Sequence, residues 1–169
     1  MKNRDIVYIA FFTALTGIGA QIAIPIGTVP VTLQVLFVFL SGFFLGPVYG
    51  MVSQLIYILT GALGFPVFAN FTSGMGIVFG PTGGFLLAFP LASLICGYAI
   101  RAKRTFAASL PALGIIYIMG WLRLSIFTGD LFSAFLAGVL PFVAFDLLKF
   151  LGAVLIYSKV RELRISEAD

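Results

Sequence analysis

Apolar runs long enough to cross a bilayer follow one another through most of this chain, and its basic residues gather at their ends. Backbone inside lipid must satisfy its own hydrogen bonds, so runs of this length are expected to become helices that pack together. Of the 169 residues, 61% are hydrophobic and 9% charged, and the mean hydropathy is +1.15, outside the range of soluble domains. Met1 to Asp5 is a short basic segment that runs straight into apolar sequence, so a first span is expected there and not a cleaved signal. There are no histidines and one cysteine, Cys96. Intrachain disulfides, His or Cys metal cages and Ser-His triads are therefore excluded by count, and no metal or cofactor is expected. The net charge of +4 does not point to nucleic acid, because the positive residues stand at span ends and form no patch of their own.

Six spans are predicted. The first runs from Ile6 to Ile24 and carries Ala10, Ala14, Gly17 and Ala20, a small-residue face that serves either packing within the bundle or close docking of another helix. Pro25, Gly27 and Pro30 form an uncharged turn. The second span starts at Val31 or Thr32 and ends at Leu45, with Thr32 and Gln34 in its first turn; a glutamine in lipid needs a partner, either a helix or a ligand. Gly46 and Pro47 break the chain tightly enough to make an antiparallel hairpin with the third span, Val48 to Leu63, whose polar positions are Ser53, Gln54 and Tyr57. From Gly64 to Gly84 no regular span fits. So glycine-rich and uncharged a connection is expected to fold into the protein, where Gly74, Gly76, Gly83 and Gly84 permit close backbone approach and Asn70 offers an amide donor and acceptor. The fourth span, Phe85 to Ile100, ends at Arg101, Lys103 and Arg104, and the fifth, Pro111 to Phe127, carries Trp121 and Arg123. Asp130 is predicted to cap a short helix from Leu131 to Ala137 stopped by Gly138, and Pro141 to start a sixth span reaching Tyr157 or Ser158.

With six spans both termini lie on one side, together with Lys2, Arg4, the Arg101 to Arg104 loop, Lys159, Arg161 and Arg164. The positive-inside rule makes that side the cytoplasm. The opposite connections contain no lysine or arginine. Gln34, Asn70, Arg123, Asp146 and Lys149 then converge on the outer half. Asp146 and Lys149 stand out because an intramembrane charge costs at least ~2.5 kcal/mol on insertion scales. Three apart, in the second and third turns of the last span, they share a helix face and form either a ligand-binding pair or a self-neutralising structural lock.

The runs VPVTLQ at Val29 to Gln34, LGPVYG at Leu45 to Gly50, GFPVFANF at Gly64 to Phe71, GPTGGF at Gly80 to Phe85 and PFVAFDLLK at Pro141 to Lys149 together resemble the BioY family. These are the biotin-binding S components of energy-coupling factor (ECF) transporters. The resemblance covers all six predicted spans in order. It implies a six-helix bundle of one domain, residues 1–169, in the plasma membrane of a prokaryote, holding biotin near the outer face under gating loops. It also implies a complex with a transmembrane coupling protein and two ATPases. The chain has no GxxxxGKS/T sequence, so it does not hydrolyse ATP itself. By resemblance, Asp146, Lys149 and Asn70 hold biotin, and Ala10 and Ala14 match the AxxxA spacing on which the coupling protein docks.

The chemistry suits that ligand. A ureido ring has two N–H donors and a carbonyl, which a carboxylate and an amide complement, while the Lys149 ammonium either balances Asp146 or meets the valerate carboxylate. Arg123 is a second candidate for that carboxylate, against simple snorkelling to the interface. Gln34 is a further polar candidate, and Tyr57 and Phe85 are candidates for walls around the bicyclic ring. Phe85 and the Ala144–Phe145 pair depart from the family's usual Tyr after PTGG and Pro-Gly before the acid. Three other readings are kept: an S component for thiamine or riboflavin, a membrane enzyme using Asp146 as general base, and an assembly protein using its small-residue face.

Overall fold

The structure, a computed structural model, describes residues 2–26, 29–102 and 109–166. Helix α1 (Asn3–Gln21) leads into a two-stranded antiparallel hairpin, β1 (Ala23–Ile26) and β2 (Val29–Thr32). Next come α2 (Gln34–Ala62), a 3-10 turn at Ala69–Phe71, α3 (Met75–Val78), α4 (Gly83–Arg101), α5 (Leu110–Thr128), α6 (Leu131–Gly138) and α7 (Val143–Ser166). Gly27, Lys103 and Arg104 lie outside the described residues.

The break at Gly46 and Pro47 is where the sequence places it. Gly46 takes φ +77°, open to glycine at little cost, and Pro47 has no N–H to offer the preceding turn. The two arms of α2, 34–45 and 47–62, fold back on each other. Gln34 Nε2 lies 2.5 Å from the Tyr57 hydroxyl although the residues are 23 apart, a separation of about 34 Å along a straight helix. Glycines allow this fold and seat α4 against it. A Cβ on Gly50 would stand 3.0 Å from Gly42 Cα, one on Gly42 2.3 Å from the Ser93 carbonyl, and one on Gly97 2.2 Å from Pro47 N. Backbone thus meets backbone along the α2–α4 seam, the close approach that small residues permit in membranes.

Phe39, Val38, Tyr57, Phe68, Ile116 and Ala153 form the centre of the main core. The outside is apolar as well: Val7, Leu148, Leu155 and Ile126 are each at least 65% exposed, as expected where lipid replaces water. Among the described residues α4 and α5 are each long and apolar enough to cross a membrane, α2 is so by length and composition although it folds into two arms, and α6 with α7 across a 48° bend makes a further such segment.

Three expectations are corrected. The Pro25–Pro30 turn and helical restart at Val31 or Thr32 are instead the hairpin, in which Pro25 and Pro30 face each other in register; Thr32 is in β2, and among the described residues this ribbon is the one paired set of strands in a predominantly helical fold. The last helix begins at Val143 and not at Pro141, so Asp146 sits in its first turn, and it runs on as helix through the charged 159–166 segment. Gly83 and Gly84 make room for protein and not for a ligand, since a Cβ there would strike the Val78 and Met119 carbonyls. The Asp130 cap is present, with Oδ2 accepting from Ser133 N at 2.6 Å. That backbone donor favours the ionised form and holds the carboxyl below the usual aspartate range.

Candidate ligand-binding site

The connections that join α1 to α2, α2 to α4 and α6 to α7 meet at one end of the bundle around a cavity of about 310 Å³. That lies within the range of small-molecule sites. β2 contributes Val29, Pro30 and Thr32, the 68–72 loop contributes Asn70 and Thr72, and α4 contributes Phe85 and Phe89. Tyr117 comes from α5, Phe142 from the turn before α7, and Asp146 and Lys149 from α7 itself.

The acid and base meet directly. Lys149 Nζ donates to Asp146 Oδ1 at 2.6 Å, and the Tyr117 hydroxyl donates to Oδ2 at 3.0 Å. Asp146 is 4% exposed, so these partners and its place at a helix N-terminus, where the macrodipole favours an anion, are what permit a carboxylate there. Each carboxylate oxygen has a second lone pair, so the group can accept further bonds from the cavity.

Gln34 lines the cavity and finds its partners in the protein: Oε1 accepts from Thr32 Oγ1 at 2.8 Å and Nε2 donates to Tyr57. Tyr57 in turn donates to the Val67 carbonyl at 3.1 Å and stacks edge-on against Phe68, so it supports the wall from behind and is not among the lining residues. Asn70 lies at the rim in the left-handed region, φ +57° and ψ +37°, which asparagine tolerates better than most residues. Phe85 is a wall whose other face rests on Gly120. Arg123 is not on the wall: its guanidinium donates to the Phe79 and Gly80 carbonyls and lies over the Phe127 ring, tying α5 to the turn before α4.

Tyr117, the second donor to Asp146, is a site residue that sequence reasoning missed, as are the cavity residues Thr72, Phe89 and Phe142. A phenol in the middle of an apolar span needs a partner as Gln34 does, and that signal was available. At the other end of the molecule, between α1, α2 and α7, a cavity of about 670 Å³ is lined by Arg4, Tyr8, Phe11, Phe44, Tyr49 and Ile156. Ala10 and Ala14 are exposed on α1 nearby in sequence.

Comparison with known proteins first gives the class. A 2.1 Å crystal structure of the S-component for biotin from an ECF-type ABC transporter superposes with TM-score 0.87 over 96% of this chain and 95% of that one, at 24% identity. A second S component of a bacterial ECF transporter gives 0.53 at 20% identity, over 100% of this chain and 99% of that one. The fold is that of an S component, a multi-pass membrane protein. The chain belongs to the BioY family, whose model matches residues 1–165. It is 47% identical to a probable biotin transporter BioY of Pyrococcus horikoshii, over 95% of this chain and 98% of that protein. It is 43% identical to the biotin transporter BioY of Thermotoga maritima, over 96% and 98%.

Proposed function

We propose that this chain is the biotin-binding S component of an ECF transporter in the plasma membrane of a prokaryote, taking biotin from outside, and that it is not an enzyme. The observation that carries this is the Asp146–Lys149–Tyr117 cluster facing the cavity, in a chain whose relatives at 43–47% identity are named biotin transporters. Asp146 accepts from a ureido N–H, Asn70 meets the ring from the rim, and Phe85 flanks the bicycle. The 2.6 Å contact supports Lys149 as the group that balances Asp146. The Arg123 contacts favour a role in holding the 79–82 turn over one on the biotin carboxylate.

The topology is six spans in one domain, residues 1–169, with the two arms of α2 counted separately, α6 as an outer segment and both termini cytoplasmic. The absence of lysine and arginine from the 23–32, 64–82 and 129–142 connections at the cavity end supports this orientation. Ala10 and Ala14, exposed on α1, support docking of a transmembrane coupling protein on that helix, with two ATPases supplying the energy.

Biotin at about a thousandfold excess over its Kd is expected to raise the melting temperature of the purified protein by about 10 °C. Thiamine and riboflavin should leave it unchanged, and the reverse pattern would make this an S component for another vitamin. Tyr117→Phe removes one donor to the buried Asp146, a hydrogen bond to a charged group worth about 1.5–3 kcal/mol, and is expected to lower the melting temperature by roughly 3–10 °C and to weaken biotin binding. Titration of the variant beside wild type checks it.

A further inference from the structure

Gln21, the last residue of α1, uses its whole side-chain amide. Nε2 donates to the Gly17 carbonyl at 3.2 Å and to the Phe68 carbonyl at 3.1 Å, while Oε1 accepts from Phe71 N at 2.9 Å. Only this orientation of the amide satisfies two carbonyls and one N–H at once. The two loop groups it holds lie on either side of Asn70. They belong to a segment with two successive non-glycine residues at φ +57°, Asn70 and Phe71, and Phe71 is a bulky residue for which that region is unfavourable. Such backbone persists only where its surroundings over-determine it.

The local bonds of the loop, Phe68 N to the Thr72 carbonyl and Thr72 Oγ1 to the Ala69 carbonyl, close the turn but do not fix it against the bundle. Phe68, 1% exposed and seated on Gly61, anchors its start. Beyond that anchor the far end of the loop is held by Gly74 N donating to the Gly61 carbonyl at 2.7 Å, and between these two points the backbone on either side of Asn70 is tied to the bundle by Gln21. The same end of α1 also receives Leu33 N on the Gly19 carbonyl at 3.0 Å, next to the Thr32–Gln34 wall.

We infer that Gln21 is a positioning residue for ligand binding: its amide clamps the backbone on both sides of Asn70 in the left-handed turn that brings Asn70 to the cavity. This rests on the biotin-binding reading above. Gln21 touches no ligand, so its loss acts through Asn70 and lengthens the path back to the bound geometry.

The test is a double-variant cycle on the full chain in detergent, with biotin titration and dissociation rate as readouts. Gln21→Met keeps the length and packing of the side chain and removes all three bonds; Gln21→Ala is the second variant. Each is expected to raise the Kd about tenfold, chiefly through faster dissociation, and to lower the melting temperature of the ligand-free protein by several degrees. Asn70→Ala should also weaken binding, and adding Gln21→Met to it should cost less than twofold more. A structural role unrelated to Asn70 would make the two losses multiply. Multiplied losses, wild-type binding by Gln21→Met, or wild-type binding by Asn70→Ala would each overturn the inference. Failure of the unmodified protein to bind biotin would instead overturn the function on which the inference rests.

Discussion

Asp146→Asn is expected to weaken biotin binding by at least a hundredfold. The variant loses the ionised acceptor, and hydrogen bonds to charged groups are worth about 1.5–3 kcal/mol each. It also strands the Lys149 ammonium, whose side chain is 9% exposed, and breaking a buried pair costs about 3–5 kcal/mol. The melting temperature should therefore fall by about 10 °C. The two effects separate in Asp146→Asn/Lys149→Met, which removes both charges at nearly constant volume: stability should return and binding should not. If the double variant binds biotin like wild type, the pair is a lock between helices and the site has been misread.

Gly97→Ala should be the most damaging substitution away from the cavity. The added carbon would stand 2.2 Å from Pro47 N and 2.5 Å from Gly46 C, and backbone atoms cannot swing aside as a long side chain would. α4 must then move off α2, and the seam formed with Gly42 and Gly50 opens. Overpacking of this kind costs about 1–3 kcal/mol, a fall of roughly 3–10 °C in melting temperature. Gly114→Ala is the control, because nothing lies within 4 Å of its Cβ. There the gain in helix propensity should hold or slightly raise the melting temperature. Equal melting of the two variants in the same detergent would refute the seam.

What was legible in the sequence was local. Helices α4 and α5 are found within two residues of their predicted bounds because proline, glycine and charge punctuate them. The Asp146–Lys149 contact follows from a spacing of three on one helix. The hairpin was hidden because AIPI and VPVT lack polar alternation, and each carries a proline that speaks against a strand. The end of α7 was missed because hydropathy reports where lipid stops, whereas the helix continues into charged sequence. Bonds between distant elements left no pattern at all: Tyr117 is 29 residues from Asp146, and Gln21 is 47 from Phe68. Gln34 looked like a ligand group or a helix partner, and only its neighbours Thr32 and Tyr57 disclose what it bonds.

The rim of the cavity is fastened differently from the bundle beneath it. Side chains from three helices latch the 64–82 connection, Gln21 to Phe68 and Phe71, Tyr57 to Val67, and Arg123 to Phe79 and Gly80, while Trp121 holds the start of α6 at Leu131. Each such bond contributes about 0.5–1.5 kcal/mol net, more for the guanidinium, whereas parting α2 from α4 would pull apart a glycine seam and a buried core. Thermal fluctuation therefore unfastens the mouth one latch at a time, long before it loosens the helices. Opening the rim asks for the loss of a few such bonds, while the helices beneath it stay packed.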